Sequence, residues 1–131
     1  MKHFYIASSL RNIENVKFVC EKLKQEGFIH SYDWTQNEKV TSIEQLKDIG
    51  MKEMNAIKKS SFIVVLLPGG KGSHIELGIA LGKGIKIYLY SQNDEANDIE
   101  TTSTFYHLDG IHKCKGTLEE LIQVILKDQK I

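Results

Sequence analysis

The chain has 131 residues, 41% of them hydrophobic and 26% charged, with 17 Lys and Arg matched by 17 Asp and Glu. These values fit one globular domain over residues 1–131 with an ordinary core. The zero formal charge argues against a nucleic-acid partner held by bulk electrostatics, and no run approaches the roughly 18 apolar residues of a membrane span.

The opening "MKHFYIASSL" lacks a signal-peptide pattern, so a cytoplasmic location is expected. "HFYIAS" (3–8) reads as a buried strand. In residues 12–27, Ile13, Val16, Val19, Cys20 and Leu23 recur at helical spacing, and Gly27 marks the stop. Residues 28–34 form a second, partly exposed strand. A second helix spans 41–60, with Ile43, Leu46, Ile49 or Gly50, Met54 and Ile57 on one stripe. "SFIVVLL" (61–67) is the most apolar run, as a central parallel strand should be. A glycine loop at 69–72 then leads into a helix at 73–83. A fourth strand at 85–91, a polar loop at 92–103, a short strand within 104–112 and a helix at 117–129 complete the chain.

This alternation predicts an α/β doubly wound parallel sheet between two helical layers. With five strands, the flavodoxin-like (Rossmann-like) order 2-1-3-4-5 fits best. Ligands in such sheets bind outside the carboxyl ends of the strands, where the winding reverses. Here that point lies between strands 1 and 3, under the loops "ASSLRN" and "PGGKGSHIE".

Within those loops Glu76 has two readings. "SHIE" fits an S-x-x-E capping box with Ser73 as N-cap. A carboxylate at a helix start over the cleft also suits chemistry, and the helix dipole would keep it ionised. Ser8, Ser9 and Arg11 resemble a phosphate cradle, or else an N-cap beside a solvated arginine. Trp34 either stacks on a base or fills the core. His74 reads as a loop-exposed histidine. His3, His30, His107 and His112 have no metal spacing, and Cys20 and Cys114 read as free thiols, so no metal is expected. Two familiar members of the fold fit poorly. A response-regulator receiver needs an Asp where Pro68 stands, and a flavodoxin needs glycine in "SSLRNIEN".

The chain resembles the nucleoside 2-deoxyribosyltransferase family, which includes the deoxynucleoside 5′-monophosphate N-glycosidases. "FYIAS", "DW", "MNAIKKSSFIVVLLP" and "GSHIELGIALGKGIKIYLY" carry the resemblance, above all the G-x-x-x-E-x-G-x-A pattern of Gly72, Glu76, Gly78 and Ala80. The resemblance implies Glu76 as a nucleophile that forms a covalent sugar intermediate, with Tyr5 orienting it. Glu53 falls where the family commonly has an acidic residue, although a solvated helix charge is the alternative. Gly70 stands where the transferases carry an Asp that holds the leaving base. "SSLR" is similar to the phosphate-binding turn of the monophosphate hydrolases.

Together these differences favour a nucleoside 5′-monophosphate N-glycosidase over a base-exchanging transferase. A non-catalytic nucleotide-binding module remains a further alternative, and NAD a conceivable substrate. The implied substrate-binding set is Ser8, Ser9, Arg11, Trp34, Gly70, Gly72 and Ser73, with no cofactor. The resemblance also implies a homodimer in which 101–106, including Ser103 and Thr104, reaches a neighbouring site.

Overall fold

The apolar run at 61–67 forms the centre of the sheet. In the computed structural model, which describes residues 2–129, every side chain of strand β3 (Phe62–Leu66) is buried. Strands β1 (His3–Ser8) and β4 (Lys86–Ser91) flank it, while β2 (Ile29–His30) and β5 (Ile111–Lys115) form the edges. All pairings are parallel, and the order is the predicted 2-1-3-4-5. The register Tyr5↔Ile63↔Ile87 aligns the three central strands.

Right-handed crossovers decide which helix covers which face. Helix α1 (Ile13–Gln25) packs on α4 (Leu118–Gln129), and α2 (Ile43–Lys59) packs on α3 (Lys71–Gly82). Phe4, Phe62 and Tyr88 form an aromatic row in the core, with ring centroids 6.0 and 5.6 Å apart. Helix α1 ends at the expected glycine: Gly27 takes φ +95°, and the Phe28 amide turns back to the Leu23 carbonyl.

Three expectations need correction. The second strand stops at His30, because Asp33 accepts bonds from the Thr35 amide and hydroxyl and folds Trp34–Gln36 into a 3-10 turn. The fifth strand begins only at Ile111; Thr104–His107 is another 3-10 turn, capped by the Ser103 hydroxyl. Helix α3 begins at Lys71, so Ser73 lies inside it and no Ser73–Glu76 capping box forms. The Ser73 hydroxyl instead accepts from the Gly70 amide at 2.7 Å and donates to the Gly70 carbonyl at 2.9 Å.

The apolar stripe of α2 is not uniformly core. Its 17 residues rise about 25 Å, while a six-residue strand spans about 20 Å. The helix is therefore longer than the strands by roughly 5 Å, about one turn. Ala56 and Ile57 are buried, whereas Ile43, Leu46 and Met54 are exposed.

Trp34 is held by the fold itself. It is buried, and its indole N–H donates to the Ile6 carbonyl at 2.7 Å. Replacing it with Phe leaves that carbonyl unpaired in the interior. Trp34→Phe should therefore lose about 1–3 kcal/mol in urea unfolding; unchanged stability would show that the bond is dispensable.

Candidate functional site

The carboxyl ends of β1 and β3 open onto a cleft of about 680 Å³, within the usual range for a small-molecule site. Its floor carries Ser8, Glu53 and Glu76, and Trp34, Gly72 and Ser73 stand in its walls. Tyr5 lies beneath, fully buried on β1, and joins the site through its hydroxyl. Ser9, Arg11 and Gly70 are not among the walls. Ser9 caps the Leu10–Asn12 turn by accepting from the Arg11 amide, and the Arg11 side chain is exposed.

Three elements converge on one phenol. Tyr5 Oη donates to Glu76 Oε2 at 2.5 Å and lies 3.5 Å from Glu53 Oε2. Tyr5 comes from β1, Glu53 from α2 and Glu76 from the second turn of α3. Burial, with the two carboxylates adding to it, raises the phenol's pKa far above its ordinary value, so Tyr5 stays a proton donor.

Burial also pushes the Glu76 carboxyl up to about 7; the Tyr5 bond opposes this and the Glu53 charge adds to it. The helix dipole therefore does not keep Glu76 ionised. Glu76 is the sixth residue of the helix, past the first turn where the dipole acts, and desolvation dominates. Glu53 is raised as well, chiefly by burial. It faces the cleft from a half-buried position rather than standing in solvent.

The hydroxyls of the cradle are already engaged. Ser8 donates to the Leu66 carbonyl at 2.7 Å and accepts from Asn12, while Ser73 is bonded to Gly70. What remains open is backbone: Lys71, Gly72 and Ser73 begin α3 with amides that lack an intrahelical acceptor. Gly69 is the glycine that packing requires. A Cβ there would lie 2.5 Å from Ser73 Oγ, whereas Gly70 and Gly72 have open space around that position.

Some walls were not foreseen from sequence. Thr35, Asn37 and Lys39 belong to the loop after β2, and Leu46, Met54 and Ile75 line the apolar side. The α2 stripe did contain Leu46 and Met54, but periodicity does not tell a core face from a cleft wall. A second cleft of similar volume, lined by Asn12, Gln92 and Glu119 among others, contains none of Tyr5, Glu53 or Glu76. Among the described residues no cluster of three or more metal-binding side chains occurs, and no helix is long and apolar enough to cross a membrane.

No protein-family model matches the chain, and no curated protein matches it. Solved structures do. A CMP N-glycosidase from Clostridium botulinum, BcmB, is similar with a TM-score of 0.63 at 17% identity, over 95% of this chain and 98% of its own. A conserved protein from Enterococcus faecalis V583 reaches 0.72 at 19% identity, over 98% and 99%. A de novo designed Rossmann 2x3 fold protein reaches 0.55 at 19% identity, over 99% and 92%. Likeness at these identities establishes the fold. The chemistry must be argued from the residues of the cleft.

The environment of Glu76 has a consequence for stability. Its proton is held up to pH about 7 in the folded chain but leaves near its ordinary 4.5 when unfolded. The folded state therefore binds more protons between those values. This contribution is complete below the lower value and is lost as pH rises through the upper one. Glu76→Gln, which keeps an oxygen acceptor for Tyr5, should match the wild type near pH 4, below the lower value. At pH 8 it should exceed the wild type by on the order of 2–3 kcal/mol. Urea unfolding at the two pH values checks this, and a variant weaker at pH 8 would contradict the desolvation of Glu76.

Proposed function

We propose that the protein hydrolyses the N-glycosidic bond of nucleoside or deoxynucleoside 5′-monophosphates, with Glu76 as nucleophile. The observation that carries this reading is the buried Tyr5 phenol shared by Glu76 and Glu53 in a nucleotide-sized cleft at the winding reversal. The motif around Glu76 and the N-glycosidase activity of BcmB, which has the same fold, support it.

In the first step the Glu76 carboxylate bonds to C1′ as the C1′–N bond breaks. The base leaves with the bonding pair and takes a proton from solvent. Tyr5 orients the attacking carboxyl. Water then adds to C1′, gives its proton to Glu53 and displaces Glu76, which restores the carboxylate. The raised pKa of Glu53 suits a general base acting near neutrality.

The phosphate would sit on the amides of Gly72 and Ser73 at the start of α3, where the dipole favours an anion. Arg11, exposed after β1, would close over it. Gly70 offers no carboxylate to hold a departing or incoming base, which favours water over a second base as acceptor.

The nucleophile must be ionised, so kcat/KM should rise as pH climbs through about 7. Base release from ribo- and deoxyribonucleoside 5′-monophosphates, followed by chromatography, should fall at least about a thousandfold in Glu76→Ala. Normal cleavage by that variant would sink the mechanism. Release only when a free acceptor base is added would make the protein a transferase, and binding without turnover would make it a binding module.

We further propose a homodimer through the exposed apolar rim of Leu10, Ile43, Leu46 and Ile75 around the cleft. Residues 101–106 of one copy would then complete the site of the other. Ile43 lies on this rim but outside the cleft walls. Ile43→Asp should give a monomer in sedimentation velocity and lower activity with it. A fully active monomer would contradict site sharing.

A further inference from the structure

The crossover from β4 to β5 contains no α-helix, unlike those before it. A right-handed connection carries it over the same face as α3. Its anchor is Tyr106, a buried residue in the Thr104–His107 turn. The phenol reaches His74 of α3, with Oη 2.6 Å from Nε2 and the two rings roughly parallel at 5.9 Å. The other imidazole nitrogen, Nδ1, lies 2.8 Å from the Gly70 carbonyl.

Chemistry sets the direction of both bonds. A carbonyl has no proton to give, so Nδ1 must carry the hydrogen and donate it to Gly70. In the neutral ring Nε2 is then a lone pair, and Tyr106 is its donor. The sequence suggests an exposed loop histidine at position 74. The structure shows a half-buried ring on α3, bonded at both nitrogens.

The Gly70 carbonyl also accepts from the Ser73 hydroxyl at 2.9 Å and from the His74 amide at 3.2 Å. Three donors thus converge on the carbonyl of the residue just before α3. Gly72 and Ser73, two and three residues on, are cleft walls. We propose that His74 and Tyr106 are positioning residues, a tautomer-specific clamp that fixes the glycine loop against the crossover segment and holds the Gly72 and Ser73 amides in their binding geometry. The reading of those amides as substrate contacts rests on the function proposed above; the clamp itself does not.

The test uses Tyr106→Phe, which keeps the ring and removes the donor, and His74→Asn, whose amide can replace Nδ1 toward Gly70 but cannot reach Tyr106. In the wild type, imidazole ¹⁵N shifts at pH 7.5 should show the Nδ1–H form of His74. In Tyr106→Phe that population should shift toward Nε2–H, and amide exchange at 70–74 should quicken. With cytidine 5′-monophosphate as probe, each variant should raise KM roughly fivefold to tenfold with kcat changed less than about threefold, the pattern of lost uniform binding. The double variant should do no worse than either single one, because both break the same link.

A residue that only stabilises the fold would lower the melting temperature without moving the tautomer or KM. An Nε2–H form in the wild type overturns the clamp, and so do unchanged exchange in Tyr106→Phe or additive effects in the double variant. If the wild type releases no base from any monophosphate, the proposed reaction is overturned while the tautomer and exchange results still decide the clamp.

Discussion

A single buried phenol organises this molecule's chemistry. Tyr5 is inaccessible to solvent on the central strand pair, where an unpaired hydroxyl would be costly. Its partner is Glu76, and bringing that carboxyl down onto the sheet strips it of water as well. The phenol is thereby held protonated, Glu76 is moved into the neutral range, and Glu53 is drawn up alongside. Burial, only partly offset by that hydrogen bond, thus produces a carboxyl whose ionisation is marginal near pH 7. Such a group is costly to the fold and useful to a reaction, a common combination at functional sites.

The surroundings of this triad divide between groups already engaged and groups left open. Side-chain hydroxyls that look available in the sequence are engaged in holding loops: Ser8 ties β1 to β3, and Ser73 ties the glycine loop to itself. What they leave free is backbone, the amides at the start of α3. Gly69 belongs to the same economy of space, since its missing Cβ is what admits the Ser73 hydroxyl. On the opposite side α2 supplies an apolar wall. Its outer residues, Ile43 and Leu46, stay exposed in an isolated chain. An apolar rim beside a polar cluster would suit both the proposed nucleobase and the proposed second protomer.

Much of this was legible in one dimension. Alternation of apolar runs with helical stripes, stopped at Gly27, defined a doubly wound sheet, because a parallel strand pair needs a crossover and crossovers have one hand. The strand order then located the cleft before any side chain was placed. The pattern of Gly72, Glu76, Gly78 and Ala80 directed attention to Glu76, since local spacing survives in the sequence as written. The helix start escaped by two residues, because S-x-x-E fits a capping box while the chain used Ser73 one turn inside. The second strand was overlong because the hydrogen bonds of Asp33 to Thr35 compete with the ladder at an unsupported edge.

Other features existed only in three dimensions. Tyr5, Glu53 and Glu76 are 48 and 71 residues apart along the chain where they meet. No period or spacing encodes their shared proton, which follows from the 2-1-3 strand adjacency and the packing of α2 on α3. The same holds for His74 and Tyr106, joined across 32 residues by a crossover that lacks a helix. By itself the sequence determined the elements, their order and the place where a ligand would meet the sheet, because these depend on local periodicity and on the handedness of the chain. The tertiary structure alone decided which groups lose their water and which carboxyl is held near neutrality, because desolvation depends on neighbours from every layer of the fold.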